Sequence, residues 1–247
     1  MNAIMSDNRP NILGVITARG GSKGIPGKNI KDLGGKPLIC YSVNAAKQSD
    51  FITHLIVSTD DEAIASTAEE CGAKVPFMRP KELAEDDIPH LPVMQHAVEF
   101  MEKETGITFD YVAIFQPTSP FRTKGDIDGT IQKLIDTGAD SAVVVCEWFE
   151  AHPTKAKRIQ GDEVLPYFEA ETSTQRQELE KAYKRSGALY AMKRDVIMEG
   201  RRPGDLYGKR IVGHIVPADR SIDIDTPFDW IKAEWMLEDL KKKGFTF

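Results

Sequence analysis

The sequence predicts an α/β fold: a mostly parallel sheet with helices on both faces. Three observations carry that expectation. Short apolar runs alternate with segments of helical spacing, a glycine-rich loop opens directly from the first apolar run, and one internal segment drops out of the pattern. Strand–helix repetition of this kind builds a parallel sheet, because each crossover places a helix against a sheet face.

Taken in order, Ile12-Leu13-Gly14-Val15-Ile16 reads as a buried first strand. After the loop, Leu38, Ile39, Ser42, Val43 and Ala46 recur at helical spacing. Leu55-Ile56-Val57 is a short strand, and Ile64, Ala65, Ala68 and Cys71 mark a helix ended by Gly72. Tyr111–Phe115 is a strand, residues 125–137 a helix, and Ala142–Val145 a further strand. Between 147 and 186 the pattern weakens into charged residues with Pro153 and Pro166, which reads as an excursion or a lid. Gly187–Met192 and Ile211–Val216 return to strand character. Phe228, Ile231 and Trp235 anchor a closing helix whose Lys241, Lys242 and Lys243 suit the negative end of its dipole.

A chain of 247 residues suits one sizeable domain, here residues 10–247 behind a loose tail at 1–9. The net charge of −6 argues against nucleic acid as a main partner, so any basic cluster is local and suits a small anion. Cys40, Cys71 and Cys146 show neither metal spacing nor a disulfide framework, which favours a reducing compartment. No apolar run approaches membrane-spanning length and no signal-peptide core precedes the first strand, so the cytoplasm is expected. The histidines at 54, 90, 96, 152 and 214 form no ligand pattern, and no nucleophilic triad can be drawn.

The loop Ala18-Arg19-Gly20-Gly21-Ser22-Lys23-Gly24-Ile25-Pro26-Gly27-Lys28-Asn29 is the strongest chemical signal. Its glycines allow backbone N–H groups to approach phosphate oxygens, and Arg19, Lys23 and Lys28 supply neutralising charge. A basic surface loop is the competing reading. Neither a Walker loop nor a G-x-G-x-x-G fits: Ser22 stands where a Walker loop needs Gly and Asn29 follows Lys28, while Ser22 and Lys23 break the second pattern.

The second signal is Ser221-Ile222-Asp223-Ile224-Asp225-Thr226-Pro227. In an extended segment Asp223 and Asp225 share a face while Ile222 and Ile224 pack inward. Paired carboxylates repel, and Mg²⁺ shared with substrate phosphates relieves that. Two solvated carboxylates ahead of a helix are the alternative. Gln116-Pro117-Thr118-Ser119-Pro120-Phe121-Arg122 leaves the C-terminal edge of a strand, where α/β sheets gather ligands. Gln116 is assigned to binding and Arg122 is left open. Alternatively the segment is only a turn, with Thr118 or Ser119 as helix cap.

Together these motifs resemble the CMP-sialate synthetases (acylneuraminate cytidylyltransferases), a family that includes CMP-legionaminate and CMP-pseudaminate synthetases. The resemblance runs from about Ile12 to Leu240. It implies a Rossmann-like sheet of the nucleotide-diphospho-sugar transferase type, with 147–186 as a dimerisation arm. It further implies CTP and a nonulosonic acid as substrates, and a homodimer.

Residue by residue, Ala18, Arg19, Gly20, Ser22, Lys23, Lys28 and Asn29 correspond to nucleotide-binding positions, and Asp223 and Asp225 to the holders of Mg²⁺, for which Mn²⁺ can substitute. Phe77-Met78-Arg79-Pro80-Lys81-Glu82-Leu83-Ala84-Glu85-Asp86 resembles the family's R-P-x-E-L-A-x-D, which makes Arg79 a nucleotide ligand. Asp87-Ile88-Pro89-His90-Leu91-Pro92 replaces a Ser/Thr-rich stretch common near the cytidine, and His90 is unassigned. Lys155, the Gln175-Arg176 pair, Ser186 and Tyr190 correspond with Gln116 to acceptor-sugar positions. Arg176 offers a fork for a sugar-acid carboxylate. Ser186 stands where Asn is common.

The chemistry implied is direct attack by the acceptor's anomeric hydroxyl on the α-phosphorus of CTP, with Arg19, Lys28, Asp223 and Asp225 as the catalytic set and no base named. Two alternatives remain: a 3-deoxy-manno-octulosonate synthetase, and a nucleotide-binding protein of this fold without turnover. The apolar residues around Asp87–Pro92 lead to the expectation that a deoxy nonulosonate is accepted at least as well as N-acetylneuraminate.

Overall fold

The computed structural model describes residues 9–148, 152–168 and 179–247. Gln175 and Arg176, expected at the acceptor, and most of the expected loose tail at 1–9 lie outside these residues. The α/β expectation holds. A six-stranded sheet has the order β2-β1-β3-β7-β4-β8, built from β1 (Ile12–Thr17), β2 (His54–Ser58), β3 (Tyr111–Phe115), β4 (Ser141–Glu147), β7 (Tyr183–Lys193) and β8 (Ile211–Ile215). Pairing is parallel at β1–β2, β1–β3 and β4–β8, while β7 runs antiparallel to both of its neighbours.

The inner strands read as near-continuous apolar runs because both faces are covered, while the edge strand β8 stays partly exposed. Ile12 and Ile16 enter one core with Val43 of α1 (Leu38–Gln48), Ala68 of α2 (Glu62–Glu70) and Ile131 of α4 (Lys124–Thr137). Leu13 and Val15 enter the other with Met94 and Val98 of α3 (His90–Thr105) and Ile197 of α5 (Arg194–Glu199). That is the period-two alternation of a strand. Helix α3 was not foreseen. Pro89 caps it and Pro92 sits in its first turn, where a missing N–H costs nothing.

A third cluster joins α6 (Pro227–Lys242) to the site: Trp230, Leu237 and Leu240 pack on Ile25, Leu33, Phe121 and Ile224. Here the sequence reading is corrected. Phe228, Ile231 and Trp235 are the outward face of α6, each more than 60% exposed, and Trp230, Ala233, Leu237 and Leu240 are its buried face.

The cysteine reading is also corrected. Cys40 of α1 and Cys71 at the end of α2 form a disulfide across 31 residues, with Cα atoms 5.6 Å apart. That separation lies in the range a disulfide requires, and only the packing of α1 on α2 creates it. Cys146 is free and buried. Within 147–186, β5 (Lys157–Gln160) and β6 (Glu163–Pro166) form a hairpin that pairs with no strand of the main sheet.

Candidate active site

The glycine-rich loop leaves β1 at the C-terminal edge of the sheet. Its base is fixed by backbone and side-chain bonds. Ala18 is buried and its N–H donates to the Ser58 carbonyl at 3.1 Å. The Asn29 amide donates to the Arg19 carbonyl at 3.0 Å, and the Gly20 N–H donates to Asp60 Oδ1 at 3.1 Å. Much of the glycine content answers to the protein itself. A Cβ at Gly20 would lie 2.6 Å from Asp61 Oδ2, and one at Gly24 would lie 2.1 Å from the Asp225 carbonyl oxygen. Gly27 has φ +64°, a conformation L side chains rarely adopt.

The contact at Gly24 brings the acidic pair to the loop. Lys28 Nζ donates to the Ile224 carbonyl at 2.7 Å and pairs with Asp225 Oδ1 at 3.2 Å. The Ile224 N–H donates to the Thr118 carbonyl at 2.9 Å, which ties the same segment to the Gln116 turn. Arg122 holds that turn from beneath. It is fully buried and donates to the carbonyls of Gln116 and Ser119 and to Ser42 Oγ. Burial pushes its pKa down to about 9, against the pull of Asp223 and Asp126. Arg122 therefore braces the site and touches no cavity. The helix cap beside it is Thr123, in a reciprocal box with Asp126, so neither Thr118 nor Ser119 caps α4.

These elements enclose a cavity of about 390 Å³. Arg19, Ser22, Lys23, Lys28 and Asn29 of the loop line it, opposite Arg79, Gln116 and Asp225. Arg79 is buried, donating from Nε to Ser58 Oγ at 3.0 Å and from Nη2 to the Ser58 carbonyl. Burial lowers its pKa to about 10, with Asp60 opposing and Arg19 adding to the shift. His90 also lines this cavity and was unassigned by sequence.

Asp223 stands beside Asp225, whose charge acts on it. It lines a second cavity of about 260 Å³ together with Lys184, Trp148 and Lys232, whereas Asp225 lines the first. The acidic pair thus borders both cavities. Ile224 is fully buried and Ile222 only partly. Ser119 Oγ and the Gly187 N–H both donate to Asp223. Burial nevertheless pushes the Asp223 carboxyl above its ordinary range, and the neighbouring Asp225 charge adds to this.

No group of three or more His, Cys, Asp or Glu side chains is gathered for a metal among the described residues. The acidic pair fits a hard cation that completes its shell with phosphate oxygens and water.

Among the described residues, the acceptor positions Ser186, Tyr190 and Lys155 line neither cavity. Ser186 is buried, its hydroxyl accepting from the Ala188 N–H at 3.3 Å. Tyr190 lies in the core, edge-on to Tyr207 with centroids 5.7 Å apart, and burial raises its phenol pKa. Lys155 is exposed in the excursion. Around Asp87–Pro92 only Ile88 and His90 reach the first cavity, while Leu91 is a core residue.

Asp86 was missed by sequence reading. Its carboxylate pairs with Arg19 Nη1 at 2.7 Å and with Lys23 Nζ, so one protein carboxylate occupies two cations assigned to phosphate. Lys23 foremost, then Arg19, hold its pKa below the ordinary range. Asp86→Asn is expected to lower the KM for the nucleotide by about two- to fivefold, the scale of exposed ion pairs. Steady-state kinetics at fixed acceptor checks this; a raised KM contradicts the competition.

A basic glycine loop facing paired carboxylates at the sheet edge defines a nucleotidyl-transfer type of site. The chain belongs to the Cytidylyltransferase family, whose profile matches residues 13–239. It is 35% identical over 231 residues to a CMP-N,N'-diacetyllegionaminic acid synthase of Legionella pneumophila, covering 92% of this chain and 96% of that protein. It is 36% identical over 177 residues to a pseudaminic acid cytidylyltransferase of Campylobacter jejuni, covering 71% and 75%. Among solved structures, a CMP:2-keto-3-deoxy-manno-octonic acid synthetase in complex with CTP shares the fold, with TM-score 0.69, 22% identity and coverage of 93% of this chain and 99% of that one.

Proposed function

We propose that this protein activates a nonulosonic acid with CTP, giving the CMP-sugar and pyrophosphate. The observation that carries the reading is the meeting of loop and acidic pair: Lys28 bonds the Ile224 carbonyl and Asp225 at the rim of the cavity that Arg19 and Lys23 also line. The names and coverage of the two relatives above support the substrate class.

In this reading the acceptor's anomeric hydroxyl attacks the α-phosphorus of CTP. An O–P bond forms, the bond from that phosphorus to the bridging oxygen breaks, and pyrophosphate leaves while the hydroxyl proton passes to solvent or a carboxylate. Arg19 and Lys28 hold the triphosphate and Lys23 neutralises the departing pyrophosphate, so positioning and charge dominate. A divalent cation, Mg²⁺ with Mn²⁺ as substitute, would be held by Asp223 and Asp225 and supplies further neutralisation at the α-phosphate. Asp225 lines the first cavity with the loop cations and Gln116, and Asp223 lines the second, which suits a reaction between two ligands that meet at the pair.

The excursion at 147–186 acts as an arm exchanged between two subunits. Lys155 lines neither of the two cavities described, and the β5–β6 hairpin exposes Ile159, Val164, Tyr167 and Phe168. A lone two-stranded hairpin is marginal in water, so a partner surface is required. Sedimentation at micromolar concentration should show a dimer; a monomer contradicts the arm. No helix among the described residues is long and apolar enough to cross a membrane. In this reading the protein works in the cytoplasm.

The test is product formation from CTP with legionaminate, N-acetylneuraminate and 3-deoxy-manno-octulosonate. CMP-sugar is expected from the first two, with legionaminate at least equal. A tenfold preference for N-acetylneuraminate overturns the deoxy-sugar assignment. Turnover on 3-deoxy-manno-octulosonate alone overturns the nonulosonate reading.

A further inference from the structure

His90 has no role in the reading above, yet it stands at the first position of α3 and lines the nucleotide-side cavity. Its neighbour Leu91 is buried in the core, which fixes the backbone that carries the ring. Its Nε2 lies 3.4 Å from Gln116 Nε2. An amide nitrogen only donates, so this contact makes His90 Nε2 the acceptor and puts the ring proton on Nδ1.

The rest of Gln116 is held just as tightly. Its backbone N–H donates to the Gly187 carbonyl at 3.1 Å, and its carbonyl accepts from Arg122. Its Oε1 lies against Gly187, where a Cβ would come within 2.2 Å of it. His90 is therefore the group that decides which way the amide faces.

We propose that His90 is a positioning residue: by accepting one N–H of Gln116 it leaves the other N–H directed at the acceptor sugar, making Gln116 a fixed donor to a sugar oxygen. Burial first, then the charges of Arg79 and Arg19, lower the pKa of His90 and keep the ring neutral, the state that accepts. The proposal rests on the assignment of Gln116 to the acceptor, and its test separates the two.

Steady-state constants for CTP and for the nonulosonic acid are measured on His90→Ala, His90→Asn, Gln116→Ala and the double variant His90→Ala/Gln116→Ala. His90→Ala is expected to raise the acceptor KM about three- to tenfold, the worth of one net hydrogen bond, while the CTP KM stays within about twofold. His90→Asn, whose Oδ1 accepts, restores part of the loss. The double variant should match Gln116→Ala, because the histidine acts only through that amide. Multiplying losses in the double variant, or a shift confined to the CTP KM, overturns the positioning role even though Gln116 still matters. If Gln116→Ala alone leaves the acceptor KM unchanged, the assignment of Gln116 fails and the role of His90 falls with it.

Discussion

Asp223→Asn is expected to remove about a hundredfold or more of kcat while the thermal midpoint stays level or rises. The loss follows from the charge: in the proposed reading Asp223 is one of the two carboxylates that would hold the cation, and a preorganised charge contact is worth about 2.7–4 kcal/mol in the transition state. The stability follows from the pKa. Burial, with Asp225 beside it, raises the folded-state value of Asp223 above its unfolded one. A carboxyl so shifted contributes stability below its unfolded pKa and loses it as pH rises through the folded pKa. At neutral pH the ionised Asp223 therefore costs stability, and an uncharged amide of the same shape relieves that cost. Activity and thermal melts on one preparation check both halves. Near-normal kcat with unchanged metal dependence contradicts the assignment of Asp223.

Gly187→Ala should be nearly as damaging, though the residue carries no chemistry. The pairing of β7 with β4 is irregular between Val143 and Val145, where the partner jumps from Tyr190 to Arg185. That bulge pushes Gly187 toward the site. Its N–H donates to Asp223 and its carbonyl accepts from the Gln116 N–H. A methyl group there would lie 2.2 Å from Gln116 Oε1, 2.8 Å from Ser119 Oγ and 3.1 Å from Asp223 Oδ1. Three functional side chains must shift together, and a displacement near 1 Å costs about a hundredfold in rate. The expected result is that loss in kcat with the circular-dichroism spectrum retained. A loss below about threefold would show that the bulge does not set the site.

What the sequence made legible is what local rules govern. The six sheet strands appear as apolar runs, the inner ones because both faces are covered, and the glycine loop announces itself by composition. Helix α3 carried a readable period in Leu91, Met94, Val98 and Met101, but Pro89 and Pro92 disguised its start. The face of α6 was misread because two apolar stripes compete on it, and only packing on Ile25 and Ile224 selects Trp230, Leu237 and Leu240. The Cys40–Cys71 bond depends on helix packing that no spacing rule encodes.

At the site, the motif residues of the loop, Arg79, Gln116 and Asp225 could be named in advance, but their partners could not. Asp86 meets Arg19 across 67 positions, Ser119 meets Asp223 across 104, and His90 meets Gln116 across 26. Each is an ordinary polar residue until the fold brings a functional group against it. The antiparallel direction of β7 was equally hidden, since its residues alone do not reveal which neighbour they face.

The central claim is that the loop cations and the acidic pair serve one reaction, transfer of a cytidylyl group to a sugar acid. Pyrophosphate release from CTP, ATP, GTP and UTP, each with and without a nonulosonic acid and with and without Mg²⁺, tests it most directly. CTP is expected to be fastest, and release to need both the acid and the metal. Faster release from ATP or GTP, or release from CTP without any acceptor, would contradict it.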